Sequence, residues 1–294
     1  MTRILPALAL YALAAIAPQA APLTVYAAGD IADCRYARPA YSGAGQTAAL
    51  IAAGDPQALV LSLGDHTYPA GAPQEFSGCY APTWGRFRER TRPAPGNHEY
   101  YSGTADGYYG YFGNAAGPRG RGYYSFDMGG WHFISLNSHM HGAEQQRQLL
   151  WLKDDLAAHP ARCTLAYWHA PLYSSGGHSA NGHMREAWRL LYEAGAELVL
   201  SGHDHDYERF APQDADGKLD QALGLRQFVI GTGGAYLTPF RWIADHSEVR
   251  HNWRHGVLKL VLKENGYEWD FLAVDDVRQA SQREARDSGA ASCH

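Results

Sequence analysis

The chain has no CxxC pair and only four cysteines in 294 residues. That is too few for a disulfide scaffold, and the spacing excludes a zinc ribbon or a thioredoxin-like redox site. It has no run of lysine or arginine, and 25 basic against 30 acidic residues leave a formal charge of −5. A nucleic-acid duplex therefore finds no electrostatic footprint. Beyond residue 20 no segment approaches the roughly 20 apolar residues that a membrane-spanning helix needs. Internal repeats and low-complexity linkers are also missing, so one domain is the economical reading. What is present is a globular composition, 46% hydrophobic and 19% charged, with fifteen histidines. A disordered or fibrous chain is excluded.

Residues 1–20 carry one charge, Arg3, then an apolar stretch from Ile4 to Ala17 and small residues. This reads as a secretory signal peptide cleaved near Ala20, and it predicts a secreted or periplasmic protein with no membrane association after its removal. Export permits disulfides among Cys34, Cys79, Cys163 and Cys293, for which three connectivities exist. Cys34 with Cys79 is favoured because each lies shortly after an apolar strand candidate. Cys293, in a polar tail expected over 276–294, is left without a partner.

Short apolar runs alternate with helical spacing. Strands are expected at Leu23–Ala28 and Ala58–Leu63 with a helix at Gly45–Ala53 between them, the pattern of a βαβ unit. Trp131–Asn137, a helix over Ala143–Ala158 and Cys163–Trp168 repeat that pattern. A helix at Met184–Ala194 precedes the strand Glu197–Leu200. Further strands are read at Phe228–Ile230, Val257–Leu262 and Tyr267–Val274, the last two joined by an Asn265-Gly266 hairpin turn at positive φ. Segments 66–125 and 170–183 are rich in Gly, Pro, Tyr and Ser and read as long functional loops.

Five segments place oxygen and nitrogen donors after apolar runs or a Pro-Gly turn: GD at 29–30, GDHTY at 64–68, GNHE at 96–99, WH at 168–169 and GHDH at 202–205. In an extended segment, side chains two apart share a face, so His203 and His205 can converge. Taken singly, Asp30 and Asp65 are ordinary turn or cap residues, and His169 and Asn97 ordinary strand-end polar residues. Together they place ligating groups at strand ends, where α/β sheets collect their ligands.

This ordered set, from Gly29 to Arg209, resembles the metallophosphoesterase (calcineurin-like) superfamily and within it the purple acid phosphatases, with GHDHDYER particularly close. The resemblance implies a single domain over 21–275, a four-layer α/β/β/α sandwich of two mixed sheets, and two metal ions. One ion would be held by Asp30, Tyr68 and His205, the other by Asn97, His169 and His203, with Asp65 bridging both. A phenolate and carboxylates suit Fe(III), and two imidazoles with an amide oxygen suit Fe(II), Zn or Mn. Many members of the superfamily have DxH as first motif; here Ala32 stands two residues after Asp30 and Tyr68 fills the role.

The implied reaction is hydrolysis of small phosphate monoesters by attack of a metal-activated hydroxide. His98 would contact the phosphate or protonate the leaving oxygen, with Glu99 orienting it or packing behind it. His178 would be a second substrate-facing histidine, with His183 its competitor. Tyr100, Tyr101, Tyr108, Tyr109, Tyr111 and Tyr173 are candidates for a substrate rim, and Arg209 with Arg119 to Arg121 for phosphate affinity. The alternatives are a phosphodiesterase on the same fold and, from another class, a non-catalytic metal-binding module.

Overall fold

The computed structural model describes residues 21–35, 38–178, 181–275 and 285–294. The expected signal peptide, residues 1–20, lies outside the described residues. Leu23–Ala28 and Leu59–Leu63 pair in parallel as the centre of a six-stranded sheet, extended on one side by Thr91–Ala94. On the other side come Gly256–Lys263, Gly266–Ala273 and Ser288–Ser292, all antiparallel. The second sheet has seven strands, in the order Ser247–His251, Tyr207–Phe210, Arg226–Ile230, Leu198–Ser201, Cys163–Tyr167, Trp131–Ser135 and Tyr124–Met128. Both sheets are mixed. Their parallel central strands are apolar along their length because both faces are covered.

The side-chain alternation of these strands builds the layers. Val25, Ala27 and Leu61 of the first sheet share one core with Phe133, Leu165, Leu198 and Leu200 of the second. The intervening residues Ile134, Ala166 and Val199 point to a separate core with Leu152 of the helix Gly142–Ala158 and Trp188 and Leu191 of the helix Arg185–Glu193. The helix Gly43–Ala52, capped by Ser42 Oγ accepting from Gly45 N–H, covers the first sheet. The result is the four-layer sandwich expected from the resemblance. Among the described residues no helix is long and apolar enough to cross a membrane.

Three expectations need correction. Segment 66–125 is not loop: it holds the edge strand Thr91–Ala94 and short helical turns, among them Trp84–Arg90 and Asp106–Phe112, whose Trp84, Phe87, Tyr108 and Phe112 join Phe76 and Tyr80 in the core. The 276–294 segment is not simply a polar tail, because Ser288–Ser292 forms an edge strand and Cys293 bridges to Cys163, while 276–284 lies outside the described residues. The hairpin forms, but Glu264 and Asn265 make its turn and neither Asn265 nor Gly266 has positive φ. Gly266 is needed for another reason: a Cβ there would stand 2.5 Å from the Ala291 carbonyl oxygen of the neighbouring strand. The favoured Cys34–Cys79 bridge is present.

Candidate metal centre

The parallel strands of each sheet release their chains at the same end of the sandwich, and the two sheets contribute different chemistry. From the first sheet come Asp30 after Leu23–Ala28, Asp65 and Tyr68 after Leu59–Leu63, and Asn97 after Thr91–Ala94, all oxygen donors. From the second come His169 after Cys163–Tyr167, and His203 and His205 after Leu198–Ser201. All seven converge. Tyr68 Oη lies 2.7 Å from Asp30 Oδ1, 3.2 Å from Asp65 Oδ2 and 3.0 Å from His205 Nε2. His169 Nε2 lies 3.2 Å from Asp65 Oδ2, 3.1 Å from Asn97 Oδ1 and 3.2 Å from His203 Nδ1. Asp65 thus stands between the two groups of donors.

The local backbone is bent to achieve this. Asp30, Asp65 and His203 adopt φ of 60°, 49° and 71°, in a region that non-glycine residues rarely visit. Such conformations cost on the order of 1–3 kcal/mol each and persist where the surroundings over-determine them. Here the constraints are visible: Asp30 Oδ2 accepts from His203 N–H at 2.8 Å and Asp65 Oδ1 from His98 N–H at 2.9 Å. The glycines of the motifs make room, since a Cβ on Gly96 would fall onto Asp65 Oδ1 and one on Gly202 would sit 2.6 Å from Asp30 Oδ2.

The donor set fits a pair of cations. His169 Nδ1–H donates to the Leu63 carbonyl at 2.8 Å and His205 Nδ1–H to that of Tyr236 at 2.5 Å, which turns each Nε2 toward the carboxylates. Asn97 Nδ2 donates to Tyr101 Oη at 2.9 Å and directs its amide oxygen inward. Two buried carboxylates side by side demand positive charge. Burial opposes a charge on His169, yet Asp65 and Asp30 hold its pKa up at about 10. His203 moves the other way, to about 4, through burial and the neighbouring His169. Burial and then Asp30 and Asp65 raise the Tyr68 phenol well above its usual range, so only a strong Lewis acid would make it a phenolate.

Around this centre the structure sorts the remaining candidates. His98 is part-buried, its ring between Tyr68 and Tyr101, with Nδ1–H donating to the Pro69 carbonyl at 2.6 Å and Nε2 3.8 Å from Asp65 Oδ2. Glu99 does not orient that ring. Its carboxylate accepts from the N–H groups of Gly96, Asp65 and His66 at 2.7, 2.9 and 2.8 Å, tying two ligand loops together. His178 faces the centre, its ring 5.0 Å from that of His203, with Nδ1 3.2 Å from Asp204 Oδ1. His183 turns away and donates to the Ser138 carbonyl.

The aromatic rim is smaller than expected. Tyr108 and Tyr109 are buried and Tyr111 stacks on Phe76. Tyr173 packs on Trp188 and donates to the Asp214 carbonyl, and Tyr100 stacks on His139. Arg209 is engaged by Asp287 and Glu248, and Arg119 by Asp106, so neither serves the centre. Two participants were missed from the sequence. Tyr236 places its half-exposed ring 4.6 Å from that of His205, and Asp204 orients His178. Only the alternation within GHDH hinted at Asp204, and nothing local marked Tyr236.

A two-sheet α/β sandwich with carboxylates from one sheet and imidazoles from the other defines a paired-cation centre at the strand ends. Residues 23–207 match the family described as calcineurin-like phosphoesterase. The chain belongs to that family. Over 217 residues it is 36% identical to purple acid phosphatase 15 of Arabidopsis thaliana, covering 60% of this chain and 40% of that protein. It thus spans well under half of that relative's length. A purple acid phosphatase from seeds of yellow lupin (Lupinus luteus) superposes with a TM-score of 0.65 at 18% identity, over 92% of this chain and 54% of that one. The protein described as GAP50, the anchor in the inner membrane complex of Plasmodium, superposes with a TM-score of 0.69 at 14% identity, over 93% and 90% of the two chains. One sandwich therefore serves a phosphatase and an anchor, and the site residues must carry the functional argument.

Proposed function

We propose that this chain is an exported phosphatase that hydrolyses small phosphate monoesters at a dinuclear metal centre. The observation that carries the reading is the convergence of all seven donors with Tyr68 Oη beside Asp30, Asp65 and His205. Fe(III) would be held by Asp30, Tyr68 and His205, and Fe(II), Zn or Mn by Asn97, His169 and His203, with Asp65 shared. Bound ions supply Lewis acidity toward a phosphoryl oxygen and activate water for in-line displacement. His98 holds Nε2 3.8 Å from Asp65 Oδ2, at the edge of the centre, where a proton carried on it would pass to the leaving oxygen. His178, fixed by Asp204, donates to a phosphate oxygen, and the exposed rings of Tyr101 and Tyr236 border the approach. The N-terminal pattern and two disulfides support export.

The test is hydrolysis of matched aryl phosphate monoester and diester from acid to alkaline pH, with metal content measured on the same sample. Turnover of the monoester with two ions per chain is expected. Preference for the diester would replace this reading with a phosphodiesterase, and two ions without turnover would leave a metal-binding module.

A further inference from the structure

A second cluster of metal-ligating side chains lies at the opposite end of the sandwich. His132 is the second residue of the strand Trp131–Ser135, which runs parallel to Cys163–Tyr167. Since the Cys163–Tyr167 strand delivers His169 at its far end, His132 sits at the end remote from the paired-cation centre. Asp155 and His159 lie one turn apart at the C-terminal end of the helix Gly142–Ala158, on the face that meets this strand. His159 is the residue that caps this helix, and its ring folds back so that Nδ1 comes within 3.3 Å of Asp155 Oδ1.

The two imidazoles gather on one carboxylate, one at each of its oxygens. His132 Nε2 is 3.0 Å from Asp155 Oδ2, and His159 Nδ1 is 3.3 Å from Asp155 Oδ1. Ligand atoms around a tetrahedral zinc, with bonds of about 2.0–2.1 Å, stand about 3.3 Å from each other. One donor atom from each of the three residues lies within 4.8 Å of the others. His159 Nδ1 also lies 3.0 Å from the Asp155 carbonyl oxygen, so its ring, 44% exposed, must turn from that carbonyl to offer a nitrogen to the ion.

The surroundings have the parts a metal site needs. His132 Nδ1–H donates to Asp127 Oδ1 at 2.7 Å, and Asp127 is the cross-strand partner of His132. A carboxylate on the distal nitrogen of a ligating histidine fixes its tautomer and raises its basicity. Ser125 Oγ donates to Asp155 Oδ1 at 2.7 Å and orients that carboxylate. His132 and Asp155 are buried, and the exposed ring of His159, stacked 5.1 Å from that of His132, leaves an open side for water as a fourth ligand.

We infer that His132, Asp155 and His159 form a binding site for one zinc-type divalent cation, with Asp127 behind His132. Two imidazoles and a carboxylate suit zinc. A bound ion there links the end of the helix to the last two strands of the seven-stranded sheet. The inference uses none of the residues of the phosphatase reading and does not depend on it.

The test counts zinc per chain by mass-spectrometric metal analysis after equilibration in micromolar zinc and gel filtration. His159→Ala, at an exposed position and checked for folding by circular dichroism, should carry one equivalent fewer than the unsubstituted protein. Asp127→Asn should bind that same equivalent about 10–100-fold more weakly. Equal zinc counts in the unsubstituted protein and His159→Ala would overturn the inference and leave His132 as an imidazolium between two carboxylates.

Discussion

Replacing Glu99 by glutamine tests how the ligand loops are held. Glu99 is buried, and its two oxygens accept three backbone N–H bonds from Gly96, Asp65 and His66. Glutamine keeps one oxygen, which can retain Gly96 and Asp65. Its amide nitrogen then faces the His66 N–H, donor against donor. A hydrogen bond to a charged group contributes about 1.5–3 kcal/mol, and a buried donor left without a partner costs about 1–3 kcal/mol. These terms overlap, so Glu99→Gln should lose about 2–3 kcal/mol, while Glu99→Ala, orphaning three donors, should lose more. The assay is urea unfolding of metal-free protein followed by tryptophan fluorescence. With a slope of about 2–3 kcal/mol/M the midpoint should fall by about 1 M. Metal removal matters because the loss lies in the scaffold and must appear before any ion binds. An unchanged midpoint in Glu99→Gln would refute the reasoning.

Asp65→Asn should lower occupancy of both ions together. Asparagine tolerates the left-handed backbone at this position, so the change is confined to charge, and loss of a single ion on metal analysis would contradict the bridge. Iron-loaded protein should absorb broadly in the visible and Tyr68→Phe should lose that band; an unaltered spectrum would remove the phenolate from the centre. His251 is buried among Tyr207, Trp253 and Phe271, neither ring nitrogen has a hydrogen-bond partner among the described residues, and burial lowers its pKa to about 4. The unfolded chain takes up this proton first, so its stabilising effect is intact above about pH 6.5 and lost as pH falls toward 4. The full loss is about 3 kcal/mol. His251→Phe should flatten this part of the acid limb in denaturant titrations at a series of pH values, and parallel limbs would show that His251 contributes nothing to it.

The seven converging donors were legible because each sits within two to five residues of a strand end and carries a donor group. Strand order and the joining of two sheets were not, since they depend on pairings such as Leu23 with Leu262 that no local pattern records. The tyrosine-rich stretch misled for a physical reason. Composition there resembles a binding loop, but Tyr108, with Phe112, packs around His66 and secures the GDHTY segment from beneath. Ser288–Ser292 was hidden because an edge strand of small residues has no apolar alternation to display. Arg209 belonged to the GHDHDYER match, yet its charge is spent on Asp287 and Glu248, a long-range pairing invisible to a motif.

The division of donors between the sheets makes the centre a gauge of how the two layers are seated. Of the seven donors, the carboxylates all come from one sheet and the imidazoles all from the other, so full affinity for the paired ions appears only after the layers have docked. Ions that bind the seated form and ignore the separated one stabilise that docking by mass action. Chelation should therefore loosen the interface between the layers before it unravels either sheet. Hydrogen exchange would show this as earlier opening of amides at the strand ends beside Asp30, Asp65 and His203 than of those deep in the central strands.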